Sequence, residues 1–403
     1  MSRWPMAMTH INQCECDFSL QFCFTITVKY CSEPEEVRWP ADPITMNVKV
    51  FPEENTNFGR KLGKLEGGNL VCKYLKFLIY ILLVPVSIDN QTSFNFRFIS
   101  VRVLFSLVVW SLLGIGAYYP FYYHIFTSGI PVDDIIAETV WRSCKAALVL
   151  FLPLSLGYLL KNIQTLDKKK ELRISCYTEI TLLISLSVAN RVLSIANYFA
   201  YPETWTFYIW LTSVLADTVN DFVVLNSVFV VNIIGEDFIN SVKDLKNISA
   251  VRLTILSEET IEAYNNLKIG MGPVLFIFFS MITFLLMTVI HDAIHILGHD
   301  GKFILGSADL LITASLFIIL LNISDLAENC YEALMQINSY HRSAFMACSL
   351  DLKFKHLLVM HNIDSKTRLT ALGFFPADRT SVLGAVGTAA TFLLIILQAS
   401  VFE

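Results

Sequence analysis

The chain has 403 residues, of which 54% are hydrophobic and only 16% are charged, with a formal net charge of −5. Soluble domains carry about 25% charged residues because their whole surface meets water, so this composition excludes an ordinary water-soluble protein. The longest basic run is three lysines, at 168–170, which excludes an extended nucleic-acid-binding surface.

The amino-terminal segment, residues 1–96, contains no long apolar stretch. The apolar patch 18–28 has no basic region before it and no small-residue cleavage site after it, so it does not match a secretory signal. A short stretch at 74–88 contains Pro85 and is too short to span, which predicts an interfacial or re-entrant helix. The cysteines of this segment match neither zinc nor haem spacing, so we expect reduced thiols and no metal site at Cys14, Cys16, Cys23 and Cys31.

Seven later stretches are apolar over the roughly 20 helical residues that a hydrocarbon core of ~30 Å requires. They cover residues 98–119, 139–160, 177–199, 206–233, 271–297, 307–326 and 382–401. We therefore predict an all-α membrane protein with seven transmembrane helices. Its parts are helices 1 to 4 in 97–233, a cytoplasmic helical connection in 234–270, helices 5 and 6 in 271–326, a cytoplasmic helical extension in 327–379, and helix 7 in 380–403.

The orientation follows from Lys and Arg, which concentrate on cytoplasmic loops. These residues are frequent before the first span, in 161–173 and in the connections after the fourth and sixth spans. Loops 120–138 and 200–205 contain none, and the loop after the fifth span contains only Lys302. The pattern predicts a cytoplasmic amino terminus and an extracellular carboxyl terminus, which is the reverse of a G-protein-coupled receptor.

The third and fourth predicted spans contain charged residues, which are costly inside a membrane and usually face a cavity or a partner. Arg191 lies in the third span, and Asp217, Asn220 and Asp221 lie in the fourth, at similar depth below the outer ends. Two interpretations stay open. The residues form a structural ion pair between packed helices, or they line a polar pocket that opens to the outside.

Further polar and aromatic residues lie at the outer mouth, at the start of the second span and the end of the fifth. They are Trp141, Arg142, Lys145, His291, Asp292 and His295. Such groups suit a small polar organic ligand, although Trp and basic residues at a span end also serve as interface anchors. His291-Asp292-x-x-His295 is similar to a metalloprotease helix, but Asp replaces the catalytic Glu, so we expect no metal site. Together with Arg191, Asp217, Asn220 and Asp221, these six residues form the candidate ligand pocket.

No catalytic constellation is present in the sequence. We find no phosphate-binding Gly loop, no intramembrane Gly-x-Ser-x-Gly and no Gly-x-Gly-Asp pair of intramembrane proteases. We therefore expect a protein that is not an enzyme and needs no cofactor.

The last span combines two different halves. Its first half is rich in Gly, Ala, Ser and Thr, which permits close helix packing. Its second half is aliphatic except for Gln398, and Ile395, Gln398, Ala399 and Phe402 share one helical stripe. In a symmetric assembly this stripe would line a pore with aliphatic, amide and aromatic rings. In a monomer it would pack against another helix.

The same span carries a family resemblance. Thr391-Phe392, five apolar residues and Gln398-Ala399 resemble the Thr-Tyr, five apolar, Gln-Phe signature of the insect gustatory receptor family, within the insect chemoreceptor superfamily. Gly373-Phe374-Phe375 and the segment 381–385 also resemble the family's approach to its last span. The inverted seven-helix topology and the short outer loops extend the resemblance to the whole chain.

The resemblance implies a ligand-gated, non-selective cation channel of four subunits in the plasma membrane of chemosensory neurons. It would conduct Na, K and Ca and open when a small-molecule tastant binds in an outward-facing pocket, as a homotetramer or with related subunits. Ile395 and Gln398 match pore-lining positions, and Ala399 replaces the usual Phe, so Ile395 or Phe402 would have to close the gate.

Other departures narrow the class. Phe392 replaces Tyr and loses a hydroxyl group, and Leu393 stands where receptors for common sugars often have Glu. Fructose-type, bitter-type and orphan receptors stay open, as does an odorant-receptor-like channel subunit. A secondary transporter with a coupling site at Arg191 and Asp217 is a further alternative, although the odd number of spans and the lack of an internal repeat disfavour it.

Overall fold

The computed structural model describes residues 74, 77–81, 83–89, 93–97, 99–112, 132–162, 174–200, 207–295, 303–346 and 348–401. All of them belong to one unit, Arg60–Glu403. In chain order the elements are β1 (Ser87–Asp89), β2 (Ser93–Asn95), α1 (Val101–Leu112), α2 (Val132–Asn162), α3 (Ile174–Ala200), α4 (Phe207–Lys243), α5 (Ala250–His295), α6 (Phe303–Phe345), α7 (Leu350–Asp364), β3 (Thr370–Ala371), β4 (Phe375–Pro376) and α8 (Arg379–Val401). A single 3-10 turn, Asp244–Asn247, joins α4 to α5.

Within the described residues, five helices are long and apolar enough to cross a membrane, and they coincide with the second to sixth predicted spans. These segments are Thr139–Asn162, Ile180–Ala200, Trp210–Lys246, Ala250–Ile290 and Gly306–Phe345. The prediction of a helical membrane protein is confirmed to that extent. Helix α1 covers part of the first predicted span, whose residues 113–119 lie outside the described chain, and α8 covers the seventh. The count of seven and the orientation stay predictions.

The prediction of an all-α fold omitted two short antiparallel hairpins. Strand β1 pairs with β2, and β3 pairs with β4. Each strand has only two or three residues, so the hairpins add little hydrogen bonding of their own. The second hairpin depends on its packing against α5, which periodicity in the sequence does not reveal.

Helices α4, α5 and α6 are longer than a bilayer requires. They contain 37, 46 and 43 residues, which at 1.5 Å per residue gives lengths of about 55–70 Å, roughly twice the hydrocarbon core. Gly235, two residues beyond Ile233, does not interrupt α4, and the polar residues that follow the apolar stretches of α4 and α6 continue their helices. Helix α5 likewise continues through Pro273. In α4, α5 and α6, the membrane span and its polar extension therefore form one continuous helix.

The core of the bundle forms where α2 packs along α5. Leu148, Leu152, Leu156 and Leu159 recur at intervals of three and four on α2 and are fully buried. A Cβ atom added to Gly270 of α5 would lie 3.1 Å from the Leu159 Cα atom and 3.3 Å from its carbonyl oxygen. The two backbones thus approach each other closely at a residue without a side chain, as is common between membrane helices.

The described part of the stretch 74–86 lies inside this bundle. Leu78, Leu83 and Val84 are fully buried, and the Tyr74 hydroxyl donates a hydrogen bond to Asn226 Oδ1 of α4. This is the stretch predicted to be interfacial or re-entrant. Its contacts show that it packs against the other helices, and its depth in the membrane stays a prediction.

The β3–β4 hairpin connects α7 to α8 and rests on α5. Leu372 and Gly373 form its turn with φ of 52° and 83°, and the Phe374 amide donates to the Ala371 carbonyl at 3.0 Å. These angles are those of a type I′ turn, in which a Leu is strained. The turn residue Leu372 approaches Gly272 of α5, where an added Cβ atom would lie 3.5 Å from the Leu372 nitrogen.

Aromatic contacts and ion pairs fix this hairpin and the start of α8. Phe374 and Phe375 lie against Phe276 and Phe279 of α5, with ring centroids 5.5 and 5.4 Å apart. Arg379 makes a two-pronged ion pair with Asp325 of α6, at 2.6 and 3.1 Å.

Asp378 precedes α8 and caps its first turn. Its carboxylate accepts hydrogen bonds from the Ser381 amide at 3.0 Å and from Arg368 at 2.8 Å. Burial alone would raise the pKa of Asp378, but these hydrogen bonds outweigh burial and lower the pKa below its usual value.

A buried histidine pair joins α5, α6 and α7 beyond the predicted spans. His341 Nδ1 contacts His356 Nδ1, and His341 Nε2 lies 2.9 Å from the Ser257 hydroxyl. His356 Nε2 lies 3.5 Å from Cys348 Sγ. Both imidazoles are fully buried, and burial lowers the pKa of His356. The pair is therefore a neutral, hydrogen-bonded chain at neutral pH.

Acid is expected to destabilise this part of the bundle. Because the folded-state pKa of His356 lies below its unfolded value of about 6.5, the unfolded state takes up the proton first. The stabilising contribution is thus fully present above about pH 6.5 and is lost as the pH falls further. We expect His356→Gln to flatten the fall in Tm on acidification, measured by fluorescence in detergent. His361→Gln, at an exposed position on the same helix, should keep the wild-type slope. An unchanged slope in His356→Gln would contradict the assignment.

Candidate functional site

Four charged side chains form a cluster between α2, α3 and α4. Lys145 Nζ lies 2.5 Å from Asp217 Oδ1, and Arg191 Nη1 lies 3.3 Å from Asp217 Oδ2. Arg191 also binds Asp221 Oδ2, at 2.7 Å from Nη2 and 3.2 Å from Nε. Asp217 therefore bridges two cations, and Arg191 bridges two carboxylates. We call these four residues the ionic cluster.

Helical spacing explains how the cluster is assembled. Asp217 and Asp221 are four residues apart and share one face of α4, as Ser187 and Arg191 do on α3. The Ser187 hydroxyl donates to Asp221 Oδ2 at 2.9 Å. The two faces thus meet over one helical turn, and each carboxylate receives more than one donor.

The four side chains of the ionic cluster are mostly buried. The side chains of Lys145 and Arg191 are 12% and 15% exposed, and those of Asp217 and Asp221 are 24% and 26% exposed. Lys145 Nζ also lies 3.9 Å from the ring centroid of Trp141, a distance at which the ring attracts a cation. The Lys145 ammonium group therefore interacts with both the Asp217 carboxylate and the Trp141 ring.

A cavity of about 60 Å³ adjoins the ionic cluster, because Asp221 lines it together with Ser187, the residue that donates to Asp221. Five helices supply its apolar wall, including Leu148, Leu183, Val224, Leu285 and Leu316. Asn190 of α3 and Asn220 of α4 also line the cavity, and they are only 5% and 7% exposed. The Oδ1 atoms of these two asparagines have no hydrogen-bond partner within the described chain.

The structure brings seven of the ten predicted pocket residues to this region. The ionic cluster contains Lys145, Arg191, Asp217 and Asp221, and Asn220 lines the cavity. Trp141 covers Lys145, and Arg142 is buried one residue further along α2 at 7% exposure. His291, Asp292 and His295 lie on the last turns of α5, where only the backbone is described.

Sequence reasoning missed two residues of the site, Ser187 and Asn190. Ser187 lies four residues before Arg191 on the same face of α3, and this spacing could have identified it. Asn190 is the residue next to Arg191 and lies on an adjacent face, so the spacing gives no such signal for it. Within the described residues, no group of three His, Cys, Asp or Glu side chains could hold a metal ion.

Helix α8 presents one open face and one buried face. Val382 and Ala389 are buried, whereas Ile395 is 59% exposed. Gly384 and Gly387 have open space where a side chain would be, and with Thr391, Ile395 and Met287 of α5 they line a shallow groove.

Of the other predicted pore and signature residues, three lie within α8 but only their backbone is described. These are Phe392, Gln398 and Ala399. Phe402 lies outside the described residues. The pore assignment therefore stays a prediction.

The fold is similar to that of solved insect receptors. The olfactory receptor OR5 from Machilis hrabei in complex with eugenol has a TM-score of 0.60 at 12% identity, and the match covers 81% of this chain and 98% of the receptor chain. The structure of the same receptor described without a ligand has a TM-score of 0.55 at 12% identity, covering 82% and 98%. No family model and no curated protein sequence matches the chain. The chain therefore shares the fold of an insect olfactory receptor, and the comparison shows the fold alone.

Proposed function

We propose that this chain is a chemosensory receptor subunit that forms a ligand-gated, non-selective cation channel. The observation that carries the proposal is the fold, which matches 98% of an insect olfactory receptor chain. That receptor was solved with a small organic molecule, eugenol. A small organic ligand for this chain agrees with the cavity beside the ionic cluster, which combines an apolar wall with a few buried polar groups.

The proposed assembly is a tetramer around α8, the seventh predicted span, and is either homomeric or formed with related subunits. The open face of α8 supports it, because small residues and exposed Ile395 stand where a neighbouring subunit could pack or a pore could form. Gln398 would then contribute one amide to a ring of four. The channel would lie in the plasma membrane of chemosensory neurons and conduct Na, K and Ca.

Helix α5 offers a physical connection between the proposed pocket and the proposed pore. Ile282 and Leu285 line the cavity, and Phe276 and Phe279 on the same helix hold the β3–β4 hairpin that leads into α8. A shift of α5 on ligand binding would therefore act on the base of α8.

Two receptor classes fit this proposal. The signature around Thr391, Phe392 and Gln398 favours a gustatory receptor, whereas the solved structures favour an odorant-receptor-like subunit. A panel of tastants and volatile odorants, applied to cells that express the chain alone and with related subunits, distinguishes the two.

The channel assignment is tested at Gln398. Gln398→Glu would place four carboxylates around the pore, so we expect a several-fold increase in the permeability of Ca relative to Na, measured from reversal potentials of ligand-evoked currents. Gln336→Glu, the same change at an exposed position on the extension of α6, should leave selectivity unchanged. Ligand-evoked currents whose selectivity is identical in wild type and Gln398→Glu would refute the pore assignment.

A further inference from the structure

The polar side chains that line the cavity include two asparagines whose amide oxygens are not satisfied within the described chain. The amide oxygens of Asn190 and Asn220 are buried and have no partner within the described chain. The two hydroxyl groups of the lining are already engaged, because Ser187 donates to Asp221 and Ser315 donates to the Leu311 carbonyl at 2.9 Å. The cavity thus offers free acceptors and no free hydroxyl donor.

Unpaired buried acceptors are costly, so most protein interiors satisfy them. Hydrogen bonds between helices could have satisfied the amide oxygens of Asn190 and Asn220, because other asparagine side chains in the bundle are paired in this way. Asn232, for example, donates to Asn322 Oδ1 at 2.7 Å. Asn190 and Asn220 line one cavity from two different helices, and each has an amide oxygen that is unpaired within the described chain. They therefore mark the place of a donor that does not belong to the described residues.

The charge of that donor follows from the ionic cluster. Its two cations and two carboxylates bind one another at 2.5–3.3 Å. Neither an organic acid nor an organic cation would find an unpaired partner there, and each would bring an uncompensated charge into a largely buried site. The donor belongs to a neutral molecule.

The lining and the volume of the cavity restrict the polarity and the size of the ligand. Leu, Ile and Val dominate the wall, so the ligand body is apolar. The volume of about 60 Å³ is less than half of the ~150 Å³ of a protein cavity that holds benzene, so a ligand of that size must displace side chains of the wall. Such a displacement moves α5, which contributes Ile282 and Leu285 to the wall.

We infer that the ligand is a compact, neutral, apolar alcohol whose hydroxyl group donates to Asn190 or Asn220. This inference rests on the proposed function, because it assigns the ligand class of the same pocket. It identifies the two asparagines as residues that select for a hydroxyl group, since a site with unpaired buried acceptors rejects an analogue that lacks the donor.

The inference is tested with the full-length protein in lipid nanodiscs and a matched pair of probes, cyclohexanol and cyclohexyl methyl ether. The ether keeps the apolar body and the oxygen but has no donor. We expect the wild type to bind the alcohol roughly 10-fold more tightly, the factor that one hydrogen bond of ordinary net strength provides. Binding is measured by Trp fluorescence or by the ligand-induced shift in Tm.

The variants Asn190→Leu and Asn220→Leu are similar in size to the wild type and remove an unpaired polar group, so they are expected to fold with an equal or higher Tm. At least one of them should reduce the preference for the alcohol to less than about 2-fold. Ser185→Ala, at an exposed position of α3 outside the cavity whose hydroxyl is bonded to the Thr181 carbonyl at 2.8 Å, should keep the full preference.

The outcomes separate the two proposals. Equal binding of alcohol and ether by the wild type, no binding of the alcohol, or loss of the preference in Ser185→Ala overturns the ligand class. Currents evoked equally by both probes also overturn it and leave the channel function standing. Selective binding of the alcohol that no expressed assembly converts into current supports the ligand class and counts against the channel function.

Discussion

Asp217→Asn is expected to abolish most of the folded protein at the cell surface. Asp217 is the only carboxylate within 4 Å of Lys145 among the ion pairs described, and it also binds Arg191. Removing one partner of a buried pair leaves an uncompensated charge, which costs 3–5 kcal/mol. A quarter of the Asp217 side chain is exposed, so we expect about 3 kcal/mol, the lower end of that range. Proteins have only about 5–15 kcal/mol of total stability.

The measurement is the fraction of tagged protein at the cell surface, together with the monodisperse fraction after solubilisation. Asp351→Asn, which removes an exposed carboxylate from α7, serves as the control and should have no effect. Lys145→Gln combined with Asp217→Asn should recover much of the loss, because Arg191 keeps Asp221. A single Asp217→Asn variant that is as abundant as the wild type would show that the cluster contributes little to folding.

Gly270→Val is expected to have the second large effect, by separating α2 from α5. A Cβ atom at Gly270 would meet the backbone of Leu159 at 3.1 and 3.3 Å, so the neighbour that must move is a helix backbone. Overpacking costs 1–3 kcal/mol even when side chains can adjust. We expect a loss of about 1–2 kcal/mol in Gly270→Ala and about 3 kcal/mol or more in Gly270→Val.

The matched control is Gly384→Ala on α8, where nothing lies within 4 Å of the added atom in this subunit. It should be neutral or slightly stabilising, since Ala is the better helix former. Thermal unfolding of the purified variants in detergent gives the comparison. If Gly270→Ala and Gly384→Ala have the same Tm, the close approach of α2 and α5 is not important for stability.

The contact between Arg191 and Asp217 could be predicted from the sequence because charges within apolar spans are rare and their depth can be counted from the span ends, whereas Lys145 was assigned to the outer mouth. Arg191 and Asp217 were placed at similar depth in this way, and the structure brings them into contact. Ser187 and Asn190 could not be separated from other polar residues in the same manner. Ser and Asn in membrane helices often bond only their own backbone, as Ser185 does with the Thr181 carbonyl at 2.8 Å.

The features that the sequence did not reveal depend on contacts between distant segments. His341 and His356 lie on different helices, and nothing in either local pattern indicates that their rings meet. The β3–β4 hairpin lies within 327–379, which was predicted only as a helical extension. Its strand pairing requires the surface that Gly272 leaves open on α5, which is about 100 residues away in the chain.

The position of residues 74–86 within the bundle has a consequence for biosynthesis. Tyr74 binds Asn226, which follows it by 152 residues in the chain. Ribosomes add about 5–20 residues per second, so this segment waits roughly 8–30 s for α4 to be translated. During that interval Leu78, Leu83 and Val84, which are fully buried in the finished protein, lack part of their cover. A nascent chain that stalls before α4 therefore exposes an apolar segment to chaperones and to the quality-control machinery of the translocation site.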